Sequence, residues 1–230
     1  MKKFLSLILS LALTLSLATP ATFAASNEPD LTPTVISDTA TERVAVVDDV
    51  TATYNKAANT ITITDNGESI TFELAQISEE NSPQARASNK TTIRTESVWY
   101  HEYKYYKTSG TYYWCVDIPS LNINPNEWCD PITVTDNGSR AAKAAEKFAD
   151  LIDSAKDNEV KLMTYGGAVA ISAAVGFISK NMQFTKAAYI AALAAAGITV
   201  MGDVAGIAGD YINDILNARD EYYAVQGCLA

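Results

Sequence analysis

Three cysteines, Cys115, Cys129 and Cys228, and one histidine, His101, are the side chains of this 230-residue chain with the widest chemical repertoire near neutral pH. Cys115 and Cys129 enclose a Pro- and Asn-rich stretch. A disulfide between them would close a loop of about 15 residues and stabilise by roughly 3 kcal/mol on the chain-entropy account. Cys228 is then odd: it stays free, competes for one of the others, or links two copies as a covalent homodimer. Three thiols and one imidazole without paired ligand spacing do not build a zinc centre. His101 sits in a Tyr-rich run beside Glu102. One histidine suffices for a Ser-His-Asp site, yet the chain has no G-x-S-x-G elbow, no P-loop and no dinucleotide fingerprint. Its carboxylates are plentiful, but a glycosidase acid and nucleophile are defined by their separation in space, which the sequence does not give, so no pair is assigned. A non-enzyme is expected, with no cofactor and no metal.

Aromatic side chains offer binding chemistry instead. Residues 96–107 and 111–118 read as two strands joined at Thr108-Ser109-Gly110. Alternation puts Trp99, His101, Tyr103 and Tyr105 on one face and Tyr100, Glu102, Lys104 and Tyr106 on the other. Only one face can be the main core, so Trp99, Tyr103, Tyr105, Tyr112 and Trp114 are candidates for binding a sugar, a membrane interface or another chain. Cross-strand aromatic packing accounts for the same pattern without any ligand.

The third chemistry is apolar. Residues 162–179 run 18 positions without a charge and residues 187–202 another 16, around a basic turn at 180–186. Eighteen helical residues rise about 27 Å, close to the roughly 30 Å of a bilayer's hydrocarbon core. The large aliphatic and Phe residues of the first run favour insertion by about 2 to 4 kcal/mol. Gly166, Gly167 and Gly176 offset part of that. The second run, with Gly197, contributes about 1 to 2 kcal/mol, and Asp203 at its end would cost up to about 3 if drawn inside. Insertion is near balance. Gly202-x-x-x-Gly206 offers the close backbone approach used between helices in lipid, although Ala-rich helices pack as closely in soluble bundles.

These groups need elements to position them. Residues 1–24 have the form of a secretory signal peptide: Lys2 and Lys3, an apolar stretch, Pro20, and a small-x-small end at Thr22-Phe23-Ala24. Export is therefore expected, giving an extracellular product. Residues 25–90 hold β-type runs at 44–54, 60–64 and 69–75, with Asp65-Asn66-Gly67 as a hairpin turn. They close on a linker at 78–90, where Arg86 offers a processing site that would make this acidic segment a pro-segment. Residues 91–138 carry the aromatic hairpin and the cysteine loop. Residues 139–230 turn helical, with Ser139 as N-cap, an amphipathic first helix, the apolar hairpin, and a final helix over 204–225. The expected fold is α+β: antiparallel β hairpins or a meander, followed by a helical bundle with an apolar Ala/Gly-rich hairpin. A net charge of −10, from 27 acidic and 17 basic residues, becomes −12 once two lysines leave with the signal. That balance argues against nucleic acid as a partner.

The order of a signal peptide, an acidic β part, a Tyr/Trp-rich middle with cysteines, and an Ala/Gly-rich helical end near Cys228 resembles the large, unmodified, heat-labile geobacillin-type bacteriocins of Gram-positive bacilli. The resemblance implies a secreted antibacterial protein acting on related bacteria. It carries no catalytic residues onto this chain. The target-cell envelope or membrane is the expected partner, reached through the helical hairpin. The alternative is a non-catalytic extracellular binding or biofilm-type module using the aromatic hairpin.

Overall fold

Between Leu31 and Leu74 the chain alternates small apolar and hydroxyl residues, a pattern that suits strands with one buried face. In the computed structural model, which describes residues 31–74, 94–97, 102–108, 111–117, 132–135, 138–200 and 202–229, this stretch forms five strands. They are β1 (Thr34–Asp38), β2 (Glu42–Val47), β3 (Val50–Asn55), β4 (Thr60–Asp65) and β5 (Glu68–Glu73), an antiparallel meander in sequence order. Ala45, Val47, Val50, Ala52, Ile61, Ile63 and Phe72 are buried. On the outer face Thr62 and Thr71 join hydroxyls at 2.8 Å, as do Thr64 and Ser69. The β4–β5 turn is the expected one: Asn66 and Gly67 both take positive φ, 49° and 82°, which a two-residue hairpin loop requires.

Residues 44–54 are not the single strand expected. The chain reverses at Asp48-Asp49, with Asp48 at φ 55° and Val47 paired to Val50. Buried positions are odd-numbered in β2 and even-numbered in β3; a strand cannot change phase without a turn or bulge. Strand β1 lies ahead of the expected meander. It is an edge strand, largely exposed, and its register shifts between Val35 and Ser37, a bulge that blunts an open edge.

A second antiparallel sheet has the order β6 (Arg94–Ser97), β7 (Glu102–Thr108), β8 (Thr111–Asp117) and β9 (Ile132–Thr135). The expected β7–β8 hairpin is present, with Thr108 opposite Thr111. The expected single strand over 96–107 is corrected: Ser97 pairs with Glu102, so the chain folds back between them.

Three helices follow: α1 (Arg140–Ser179), α2 (Lys186–Ala195) and α3 (Val204–Leu229). Each starts on a side-chain cap. Ser139 Oγ accepts from Ala142 N at 3.3 Å, Thr185 Oγ1 from Ala188 N at 3.1 Å, and Asp203 Oδ1 from Gly206 N at 3.1 Å. The amphipathic helix and the first apolar run are one 40-residue element, interrupted at Gly167, where φ 62° and ψ −162° break the helical geometry. Helix α2 is shorter than the expected 187–202. Gly197, at φ 87°, donates to Ala194 O, and Ile198 N donates to Leu193 O at 2.9 Å, the paired bonds of a Schellman stop. Asn181 and Met182 end α1 in the same way on Ile178 O and Phe177 O.

Helices α1 and α3 run antiparallel, joined by the Lys147–Glu221 ion pair, the Phe148–Tyr222 ring contact at 6.3 Å and the Asn158–Asp214 hydrogen bond at 3.2 Å. Helix α2 packs against β2, β3 and β4 on one side and against α1 and α3 on others. The fold is α+β, and its described residues all fall in the compact unit Leu31–Ala230. The signal segment 1–24, the linker 78–90 with Arg86, and Trp99, Tyr100, His101 and Cys129 lie outside the described residues.

Candidate functional site

Every residue of α2 from Ala188 to Ala195 is buried, as is every residue of α1 from Ala170 to Ile178. A helix apolar on all sides needs cover on all sides. For α2 the five-stranded sheet supplies one wall and the other two helices supply more. The hairpin between α1 and α2 is thus the site around which the described residues are arranged.

Its arms are held by one buried polar contact and an aromatic cluster. Tyr189 Oη of α2 donates to Ala170 O of α1 at 2.7 Å. Phe177, Phe184 and Tyr189 meet at ring-centroid distances of 5.5 to 6.2 Å, and Phe72 of β5 joins Phe177 at 6.1 Å. Such tilted and edge contacts suit the ring quadrupoles. Phe72 ties β5 to the α1 arm of the hairpin, and the sequence signalled it only as one apolar residue of a strand.

The glycines of the site have separate tasks. At Gly176 a Cβ would come within 2.3 Å of the Phe72 ring, so its bare backbone lets β5 approach. At Gly166 a Cβ would stand 2.5 Å from Ala170 Cβ, whereas at Gly167 nothing lies within 4 Å and only the torsion demands glycine. Gly202, at φ 62°, precedes α3, and Gly206 lies in its first turn over the Asp203 cap. The expected Gly202-x-x-x-Gly206 helix face is therefore a helix start, because one of the two glycines is outside the helix. Asp203 is exposed and pairs with Lys186 at 3.3 Å.

Glu159 of α1 is fully buried, whereas Asp38, Lys56 and Asp203 are exposed. Asp38 pairs with Lys56 at 2.7 Å and with Arg43 at 3.4 Å, and the Lys56 hydrogen bond holds its carboxyl below the ordinary value. The Arg43 guanidinium also stands 3.4 Å from a Cβ placed on Gly197, beside the C-terminal carbonyls of α2, where a cation is favoured. Asp214, facing α1, has its carboxyl pushed above the ordinary value by burial; hydrogen bonds from Ser154 and Asn158 oppose this, and Asp210 adds to it.

In the second sheet, register places Tyr105 opposite Trp114, Lys107 opposite Tyr112, and Tyr103 opposite Val116. Tyr103, Tyr105, Tyr112 and Trp114 therefore share one face of the sheet. Val134, opposite Tyr112, is on that same face; it is 1% exposed, and β9 packs against α1. Trp99, the fifth aromatic candidate, lies outside the described residues. Cys115 is on β8 opposite Lys104, on the other face, and its proposed bond to Cys129 falls outside the described residues. Cys228 is free and exposed. Among the described residues no three His, Cys, Asp or Glu side chains gather as metal ligands. Compared with known proteins, the chain matches no family model, no curated protein and no solved structure.

Proposed function

We propose that this is a secreted antibacterial protein of bacteriocin type, exported by residues 1–24 and acting on the envelope of related Gram-positive bacteria, with the α1–α2 hairpin as the membrane-engaging part. The carrying observation is that hairpin. Among the described residues α1 is, by length and composition alone and counted through its break at Gly167, a helix long and apolar enough to cross a membrane, and α2 is covered on one side by a sheet whose inner face is mostly Ala, Val and Ile. The architectural resemblance to geobacillin-type bacteriocins supports the same reading. No enzyme activity and no cofactor enter it.

A soluble protein with such a hairpin can exchange its intramolecular cover for lipid when the two environments are close in free energy. The transfer balance of the two apolar runs is only a few kcal/mol, so modest loosening of the cover decides it. A second reading, a non-catalytic extracellular binding or biofilm-type module, is favoured by the Tyr/Trp ladder of β7 and β8. Purified residues 25–230 applied to growing related bacilli separate the two. Growth inhibition at low concentration supports the first. Retention on insoluble cell wall without inhibition supports the second.

A further inference from the structure

We propose that Gly167 is a hinge that keeps α1 from being a membrane-spanning helix in the folded protein and makes it one when the helix straightens. The hinge rests on the membrane-engaging reading above and goes beyond it by assigning the switch.

Gly167 adopts φ 62° and ψ −162° in the middle of a 40-residue helix. That region of backbone space is essentially restricted to glycine, and residues held there mark sites where surrounding structure enforces a costly conformation. No neighbour lies within 4 Å of a Cβ built on it. Glycine is present for the torsion and not for space. The break also divides α1 by environment. Before it, the helix is amphipathic and packs along α3 through Phe148 and Asn158; after it, residues 170–178 are buried without interruption.

Length supplies the functional consequence. From residue 168 to Ser179 the helix rises about 18 Å, well short of the roughly 30 Å of a hydrocarbon core. Restoring helical torsions at Gly167 joins residues 162–167 to that piece, and the uncharged run then rises about 27 Å. The kinked state keeps the apolar segment in a length that cannot span, with Phe177 against Phe72 of the sheet; straightening creates the span and releases the end of the α1–α3 seam, where Gly166 stands beside Val204. Alanine at this position penalises the positive φ of the kinked state and favours the straight helix over glycine, so both effects push one way.

The test is a distance across the hinge. Spin labels carried by p-acetylphenylalanine at positions 143 and 180, both exposed lysines, avoid the native thiols. In buffer the distance should lie below that of a straight helix. With phosphatidylglycerol/phosphatidylethanolamine vesicles it should lengthen to about 55 Å, the rise of the intervening residues. Gly167→Ala should raise the long-distance fraction about tenfold at limiting lipid. Gly138→Ala, which strains another positive-φ glycine with open space around it outside the helix, should leave that fraction unchanged. An unchanged distance in vesicles, or equal effects of the two variants, overturns the hinge. Dye release measured on the same samples keeps the two ideas apart: release without lengthening overturns the hinge and leaves the membrane reading standing, while lengthening without release supports the hinge and counts against membrane permeabilisation.

Discussion

At Gly176 the sheet and the hairpin touch through a ring and a bare backbone, since a Cβ there would reach within 2.3 Å of Phe72. Gly176→Ala should lower stability by about 1 to 3 kcal/mol through overpacking, a fall of several degrees in the thermal midpoint followed by circular dichroism. An unchanged midpoint would mean that the Phe72 cluster is loosely packed. Asp214 gives a pH signature. Its carboxyl titrates above the ordinary value, so the folded state holds that proton more tightly than the unfolded chain does. The stabilisation from this group is present at low pH and is lost as pH rises from the ordinary carboxylate range through the raised value. Asp214→Asn keeps a hydrogen-bond acceptor for Asn158 and removes the charge. It should stabilise the protein at about pH 7 by less than about 1 kcal/mol, because the site is only half-buried, and differ less from wild type near pH 4. Thermal midpoints of both proteins at the two pH values check this. The sign also means that mild acid tightens the α1–α3 seam at Asp214, so this carboxyl does not supply an acid-triggered opening there.

Elements carry the balance between storage and release. Helix α2 has no exposed face between Ala188 and Ala195, and β2, β3 and β4 form one of its walls. A chain lacking residues 25–90 should therefore aggregate or co-sediment with lipid vesicles at concentrations where the full chain stays in solution; a monodisperse, lipid-indifferent fragment would show that the sheet is not the cover of α2. Local signals made several elements legible. The Asn66-Gly67 turn, the Ser139 cap and the apolar runs are short-range features whose physics is complete within a few residues. Boundaries that depended on phase or on a stop were harder. Asp48-Asp49 hid a turn inside an apolar run, the exposed β1 had no buried face to declare it, and Gly197 looked like one more small residue in an Ala-rich helix until its positive φ identified it as the C-terminal stop.

Across the whole molecule, sequence patterns divided the chain into an acidic β part and a helical part, and the structure places both within Leu31–Ala230. The missing information was long-range. Nothing local to Phe72 announces that it will rest on Gly176 a hundred residues later, and nothing in a run of alanines says which wall will shield it. The candidate site was legible as a hairpin of low polarity with glycines; its break at Gly167 was not, because a Gly-Gly pair within a helical pattern reads as reduced propensity until a torsion is seen. On the proposed function, the joint consequence is a protein that keeps its apolar hairpin folded away, with α2 against the sheet and α1 along α3. Dye release from phosphatidylglycerol/phosphatidylethanolamine vesicles by purified residues 25–230, followed from acidic to neutral pH, tests that most directly. The account predicts concentration-dependent release by the folded protein, greater for Gly167→Ala than for Gly138→Ala; vesicles that stay sealed throughout at every pH would contradict it.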